Sequence, residues 1–249
     1  GDYYFMKTDY SQAIQNYQQS VNIKTFEADY ALYQIAFCQG LQRNQQGKIE
    51  TLQQLLAGFP ESDYQDDALY ELGRAYERLG RNLEATQQYQ KISSNHSQGS
   101  FYRKALLQMG LINYNNGDYS KALTQYKEVA EKFPGTPESQ AALLGIKNCY
   151  VEMNSVDDYF AYTNQLGSGS NVTASEQDSL SYLAAERMYM AGNAGAAAQL
   201  QRYIQQFPNG NFVLNARFYL EETIYKEGHY SKSNEHYLFD AQQPTTLLT

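Results

Sequence analysis

Three histidines are the side chains of this 249-residue sequence best suited to bind a metal or to transfer a proton, namely His96, His229 and His236. His229 and His236 lie seven residues apart and would share a face if they belonged to one helix. Neither has a cysteine or carboxylate at the spacing of a usual metal site. The sequence therefore predicts no metal site, and we interpret the histidines as residues of exposed loops and helices.

Other residue types that carry chemistry are equally uninformative about catalysis. The acidic pairs Asp66–Asp67 and Asp157–Asp158 come at predicted helix starts, where negative charge complements the helix dipole. The glycines precede predicted turns rather than forming a phosphate-binding loop after a strand. No G-x-S-x-G nucleophile motif is present. The sequence predicts no catalytic residue, no cofactor and no enzymatic activity of its own.

Composition and charge narrow the possible partners. The net charge of −8 and the pI of about 4.9 disfavour nucleic acid, whose binding needs a basic surface. No apolar run is long enough to predict a membrane span. Cys38 and Cys149 each lie in an apolar stretch and are predicted to be buried free thiols. The chain has 24 tyrosines and no tryptophan, which suits half-buried faces where a ring packs and a hydroxyl stays hydrated.

A ten-residue phrase recurs along the chain and reveals its organisation. GDYSKALTQY at 117–126 returns as TDYSQAIQNY at 8–17 and GHYSKSNEHY at 228–237, with weaker copies between them at steps of about 37 residues. A second segment precedes each copy, with apolar residues at helical spacing, as in Leu69, Leu72 and Tyr76. Glycine commonly separates the two segments, and Phe-Pro follows several of the second ones. The pattern predicts repeated pairs of helices.

These residues resemble the tetratricopeptide repeat, a helix pair with conserved small and aromatic positions. One unit carries the matching residues Leu69, Leu72, Gly73, Tyr76, Ala85 and Tyr89, and the next carries Leu106, Met109, Gly110, Ala122, Tyr126 and Pro134. The resemblance implies an all-α fold, a right-handed superhelical solenoid of antiparallel helix pairs with about seven repeats. The predicted domain is a single solenoid over 1–249, with units at 1–27 (incomplete), 28–64, 65–101, 102–138, 139–175, 176–212 and 213–249.

Some units depart from the family pattern. Lys48, Tyr159 and Ser233 replace the small alanine of the second helix, and Lys147 and Glu221 replace the glycine of the first. We expect the helices of these units to cross less closely. The incomplete first unit and the lack of a polar capping helix at the other end indicate a segment of a longer chain. The alternative is self-association through the uncapped repeat ends.

The loop PESDYQDDA at 60–68 resembles an FP-x-S-x-Y variety of the repeat found in bacterial cell-envelope proteins. This resemblance implies a location in the bacterial periplasm or at the periphery of the outer membrane. A cytoplasmic location is the alternative.

In the tetratricopeptide family, the first helices of successive units line a concave groove. A stripe beginning two residues before the core stripe is therefore predicted to face the groove. Its candidate binding residues are Tyr30, Tyr33, Phe37, Tyr70, Arg74, Glu77, Lys104, Leu107, Leu111, Tyr114, Asn148, Met188, Phe218 and Tyr225, and it also passes through Leu144, Val151, Ser181 and Ala185. Its rings and aliphatic groups indicate an interaction surface. Burial of part of the stripe by superhelical curvature is the alternative.

The predicted function is a non-enzymatic scaffold that binds a protein or peptide segment through apolar anchors. Arg74, Lys104 and Asn148 are isolated among aromatic residues, so the carboxylate-binding cluster of some family members is not predicted. One alternative is a carbohydrate-binding module, against which the absence of tryptophan counts. Another is the interaction segment of a larger enzyme.

Overall fold

The computed structural model describes residues 1–23, 27–95, 100–167 and 172–226, and within these ranges the regular secondary structure is all α-helix. The all-α prediction is confirmed. His96, His229, His236, Ser233 and the phrase at 228–237 lie outside the described residues. The helices are α1 Asp2–Met6, α2 Tyr10–Asn22, α3 Ala28–Leu41, α4 Gln45–Gly58, α5 Gln65–Arg78, α6 Asn82–Asn95, α7 Ser100–Asn115, α8 Tyr119–Lys132, α9 Pro137–Glu152, α10 Val156–Leu166, α11 Ala174–Met190, α12 Ala196–Gln206 and α13 Val213–Lys226.

The chain divides into two compact units, unit 1 over Gly1–Gly145 and unit 2 over Ile146–Thr249. Each of the five ranges from 28–64 to 176–212 holds one helix pair, although α7, α9 and α11 begin two residues before the predicted starts. A single domain over 1–249 stays a prediction.

The recurring phrase forms the turn between the two helices of a pair. Gly117 has φ +77°, a left-handed conformation that glycine adopts without a steric penalty. The next residue, Asp118, then accepts a hydrogen bond from the Lys121 amide and begins α8. Arg43 and Asn154 adopt the same left-handed conformation at the equivalent turns, although their side chains make it less favourable. The turn geometry is therefore more regular than the sequence that encodes it.

Close approach of the paired helices in unit 1 depends on glycine. A methyl group added at Gly73 would lie 2.4 Å from the Tyr89 ring, and one at Gly110 would lie 2.5 Å from the Tyr126 ring. A carbon added at Gly145 would also come within 2.5 Å of Tyr126, from the following repeat. The Tyr126 ring thus packs against two helix backbones, at Gly110 and Gly145.

Larger side chains at the small positions find partners in a neighbouring repeat (Lys48 and Lys147) or in the same helix pair (Tyr159). Lys48 is buried, and its ammonium group forms an ion pair with Glu71 of α5. Lys147 reaches Glu176 of α11, with 3.2 Å between Nζ and Oε1. Tyr159 is buried and packs its ring 6.3 Å from that of Tyr150. These contacts explain how the repeats accommodate residues that the family pattern lacks.

Unit 2 contains a buried polar contact between α11 and α12. The Asp178 carboxylate accepts a hydrogen bond from the Tyr203 hydroxyl at 2.5 Å and another from the Asn211 amide at 2.8 Å. The Tyr203 oxygen in turn accepts from the Phe212 amide at 3.2 Å. Beside this network, the Tyr182 and Phe212 rings stack with centroids 4.6 Å apart. The loop after α12 is thereby fixed to the start of α11.

Candidate functional site

The candidate site of unit 1 is the side of its first helices that carries the predicted stripe, and we call this surface the binding face. It consists of Tyr30, Tyr33 and Phe37 on α3, Tyr70, Arg74 and Glu77 on α5, Lys104, Leu107, Leu111 and Tyr114 on α7, and Leu144 on α9. Within each helix these residues recur every three or four positions, so they share one side.

Three apolar side chains of the binding face remain accessible to solvent. Phe37 is 39% exposed, Leu111 is 45% exposed and Leu144 is 55% exposed. Leu107 and Tyr114 are half-buried, and the Tyr114 ring lies 5.4 Å from that of Tyr119. The accessible apolar groups belong to three different first helices, which makes this surface suited to contact a partner along its length.

Tyr70 has a different role from the one expected of a groove residue. It is only 8% exposed, because its ring packs 5.7 Å from Tyr89 and 5.6 Å from Phe101. Tyr89 comes from the second helix of the same pair, whereas Phe101 begins the next repeat. Tyr70 therefore supports the binding face from beneath instead of offering its ring to a ligand.

Aromatic contacts connect α3 to the following repeat. Tyr33 is half-buried and stacks on Tyr64 with centroids 5.2 Å apart. Tyr30 also contacts Tyr64, at 5.9 Å. One face of the Tyr33 ring is therefore already covered.

The charged groups of the binding face are held by their neighbours. Arg74 lies 3.6 Å from Glu77, whose carboxylate also accepts a hydrogen bond from the Tyr89 hydroxyl at 2.9 Å. Burial raises the pKa of Glu77, against the opposing effects of Tyr89 and Arg74. The Lys104 ammonium group lies 5.0 Å above the Phe101 ring, at cation–π distance. The middle of the face thus presents charges of both signs.

An acidic pocket, which the sequence analysis missed, opens beside Tyr30 in unit 1. Its volume is about 590 Å³, and it is lined by Asp2, Glu27, Asp29, Tyr30, Glu61, Ser62, Asp63 and Tyr64. The only sequence signal for it was the acidic loop at 60–68, which we interpreted as a mark of repeat subtype. Asp2 was not recognisable in the sequence as a residue of this pocket, because only the fold brings it near Tyr17 and Tyr30. The hydroxyl groups of these tyrosines donate hydrogen bonds to its carboxylate at 2.5 Å and 3.0 Å.

The stripe residues of unit 2 form a less continuous surface. Phe218 and Tyr225 are 57% and 58% exposed on α13, Asn148 is exposed, and Met188 is half-buried. Val151, Ser181 and Ala185 are buried, so the expectation that they face a groove is wrong. Val151 belongs to a core cluster with Val156, and Ala185 packs among α12 and α13 residues. Packing against neighbouring helices therefore removes these positions from the surface.

Metal binding and thiol chemistry find no support in the described part of the chain. It contains no group of three or more histidine, cysteine or acidic side chains arranged to hold a metal ion. Cys38 and Cys149 are both buried and unpaired with each other, and burial raises the pKa of each thiol to about 11. Such thiols are poor nucleophiles at neutral pH. None of the helices in the described ranges combines the length and apolar character of a bilayer span.

Comparison with known families identifies the repeat. The family model described as "Tetratricopeptide repeat" matches residues 30–62, 67–98 and 104–136. These three segments of the chain are tetratricopeptide repeats. The three matched segments coincide with the pairs α3–α4, α5–α6 and α7–α8, which build most of the binding face. A search of curated protein sequences found no significant match.

Solved structures of two tetratricopeptide repeat proteins and of one further complex share the fold. A protein from Parabacteroides merdae is 15% identical with a TM-score of 0.55, and the alignment covers 98% of this chain and 90% of that one. The C-terminal part of a repeat protein from Cytophaga hutchinsonii is 14% identical with a TM-score of 0.56, and the alignment covers 99% of this chain and 95% of that one. The structure of Naa15/Naa10 bound to HypK-THB matches at 11% identity and a TM-score of 0.62, and the alignment covers 96% of this chain and 35% of that one. At these identities the similarity concerns the fold alone.

Proposed function

We propose that this tetratricopeptide repeat protein is a non-enzymatic scaffold whose binding face receives a segment of a partner protein through apolar anchors. The observation that carries the proposal is the exposure of Phe37, Leu111 and Leu144, at stripe positions of three of the four first helices α3, α5, α7 and α9. Full burial of a side chain of this size contributes about 1.5–3 kcal/mol. A few such contacts suffice for a specific complex, provided that the partner is held in register.

The local chemistry favours a protein segment over a glycan. Carbohydrate recognition by aromatic residues needs open ring faces, but Tyr33 is stacked on Tyr64 and Tyr70 is buried. Leu107, Leu111 and Leu144 offer aliphatic surface instead. The repeat family supports the same reading, and one similar structure, Naa15/Naa10 bound to HypK-THB, is itself a complex of proteins.

We place the scaffold in the bacterial envelope, in the periplasm or at the outer-membrane periphery. The support is the resemblance of the 60–68 loop to repeat units of envelope proteins. Cell fractionation with an antibody against the native protein tests this location. Recovery with the cytoplasmic fraction would reject it.

A photocrosslinking experiment tests the binding face. Benzoylphenylalanine is introduced at Leu111, and in a matched control at Gln87, an exposed residue of the second helix α6. After irradiation in the native cell, we expect a defined partner to be crosslinked from Leu111 but not from Gln87. Mass spectrometry then gives the crosslinked segment of the partner.

The identified segment is next measured against the purified protein. We expect Leu111→Ala to weaken its binding about tenfold, since much of a leucine contact is lost. The Gln87→Ala variant should bind as the parent does. Equal crosslinking from both positions, or unchanged affinity of Leu111→Ala, would contradict the assignment of the face.

A further inference from the structure

The acidic pocket adjoins the binding face at Tyr30, which belongs to both. Among the described residues that line the pocket, five are carboxylates and none is basic. Asp29 is held in place, because it accepts a hydrogen bond from the Ser62 hydroxyl at 2.5 Å. Glu27, Glu61 and Asp63 are exposed and belong to the segments that lead into α3 and α5. One end of the face is therefore strongly negative.

The pKa shifts of the surrounding groups agree with a negative electrostatic potential at this end of the binding face. Hydrogen bonds from the Tyr17 and Tyr30 hydroxyls lower the pKa of Asp2, which keeps this carboxylate charged. Burial raises the pKa of Tyr64, and the nearby charges of Asp29, Asp67, Asp63 and Glu27 raise it further. The negative potential thus extends over the ring at the pocket wall.

The pocket also contains aromatic surface. Tyr30 and Tyr64 form part of its wall, with their centroids 5.9 Å apart. Carboxylates beside aromatic rings favour a cation with an apolar stem, such as a lysine or arginine side chain. The same Tyr64 ring stacks on Tyr33, one helical turn before Phe37. The pocket wall is therefore linked through Tyr33 to the helix that carries Phe37, whose ring lies 5.9 Å from that of Phe5.

We propose that the partner segment carries a lysine or arginine that occupies the acidic pocket, with an apolar anchor that contacts Phe37. This inference rests on the proposed function and specifies the chemistry of the partner. Tyr30 and Phe37 are seven residues apart on α3, a rise of about 10 Å at 1.5 Å per residue. An extended chain covers this distance in about three residues. The basic residue and the anchor are thus about three positions apart.

Labelled synthetic peptides test this arrangement. Each probe is a fluorescein-labelled glycine–serine decapeptide with one Leu-Phe pair and one arginine, three positions before or after the pair. The counterparts carry glutamate in place of arginine. We expect one arginine peptide to bind about tenfold more tightly than its glutamate counterpart in 50 mM salt, by fluorescence anisotropy. The preference should disappear in 500 mM salt, since exposed charges are then screened.

A variant with neutralised carboxylates tests whether the preference for the arginine peptide arises at the acidic pocket. Glu27→Gln, Glu61→Gln and Asp63→Asn together should weaken binding of the arginine peptide about tenfold, whereas the glutamate peptide should bind as well as before or more tightly, because repulsion is removed. The control combines Glu50→Gln, Glu131→Gln and Asp158→Asn, which remove the same charge from exposed positions elsewhere. This control should not alter the preference. Thermal melting by circular dichroism confirms that both variants remain folded.

Other outcomes separate the two proposals. Equal binding of the arginine and glutamate peptides, with both weakened by Leu111→Ala, would reject the basic residue and keep the apolar face. No binding of either peptide up to 1 mM would count against both. Displacement of the arginine peptide by spermidine or Mg²⁺ at equal ionic strength, beyond that by sodium, would indicate a free cation as the occupant and reject the inference.

Discussion

Two tyrosines, Tyr126 in unit 1 and Tyr203 in unit 2, belong to the second helix of their pairs but pack by different physics. The Tyr126 ring fits against bare backbone at Gly110 and Gly145, where any added carbon would clash at 2.5 Å. Tyr203 is buried and donates its hydroxyl to the buried carboxylate of Asp178. One contact depends on shape and the other on a satisfied polar network.

The two kinds of packing accompany different degrees of match to the family pattern, although the matched segments also contain a side-chain pair, Lys48 with Glu71. The matched segments end at residue 136, and beyond it Lys147 and Glu221 occupy the glycine position of the first helix. Unit 2 brings its helices together through side-chain pairs, such as Lys147 with Glu176 and Asp178 with Tyr203. A family pattern based on small residues records only the first kind of packing.

The largest effect is expected from Gly110→Leu, which tests the packing of unit 1. The added side chain must displace Tyr126, because even its first carbon lies 2.5 Å from the ring. We expect the free energy of unfolding to fall by roughly 3 kcal/mol, with a melting temperature lower by about 6–12 °C. Urea and thermal unfolding, both followed by circular dichroism, measure this change.

The matched control for this substitution is Lys147→Leu in unit 2, at the equivalent position. This substitution removes only a partly exposed ion pair, so it should lower the free energy of unfolding by less than about 1 kcal/mol. Gly110→Ala combined with Tyr126→Leu should also be less destabilised than the two single changes added together. If Gly110→Leu and Lys147→Leu lower the free energy of unfolding equally, close backbone packing does not distinguish the repeat of Gly110 from that of Lys147.

A somewhat smaller loss is expected from Asp178→Ala, which tests the packing of unit 2. The substitution leaves the Tyr203 hydroxyl and the Asn211 amide without their acceptor. We expect a loss of about 2 kcal/mol in the same unfolding measurements. Tyr203→Phe removes both the donor to Asp178 and the acceptor of the Phe212 amide, so it should lower the free energy of unfolding by a similar amount. If Asp178→Ala unfolds like the parent, the network is not a stabilising element.

Most of the fold could be predicted because its signals are local. Helical spacing, the glycine before each turn and the proline after several pairs are all visible within a few residues, and Leu69, Leu72 and Tyr76 are buried as their spacing indicates. The left-handed turns at Arg43 and Asn154 were not equally predictable from residue type, because asparagine adopts this conformation fairly often and arginine rarely does. They follow because the flanking helices impose the turn on whichever residue occupies it.

The candidate site was predicted less completely because exposure depends on neighbours distant in sequence. Leu111 and Phe37 of the stripe are accessible to solvent, but Tyr70 has the same helical position as exposed Leu144 and is covered by Tyr89 and Phe101. The acidic pocket combines Asp2 with a loop about sixty residues later. No spacing rule connects such residues before the fold is known.

The two cysteines provide the most local comparison of the two units. Cys38 lies in unit 1 and Cys149 in unit 2, and each thiol is buried with its pKa raised from 9.0 to about 11. At pH 8 this shift alone reduces the thiolate fraction about 100-fold. Iodoacetamide should therefore modify each cysteine in the native protein at least 100-fold more slowly than in 8 M urea, as followed by mass spectrometry.

The two core variants should then raise these rates severalfold in their own units. Gly110→Leu weakens the packing of unit 1 and is expected to accelerate the labelling of Cys38, whereas Asp178→Ala should accelerate that of Cys149, because modification requires local opening. The conservative pair Ser175→Ala and Thr124→Ala, both at exposed positions, serves as the control for the two units. Labelling of Cys149 that is fast in the native protein and insensitive to Asp178→Ala would show that this network does not limit the opening of unit 2.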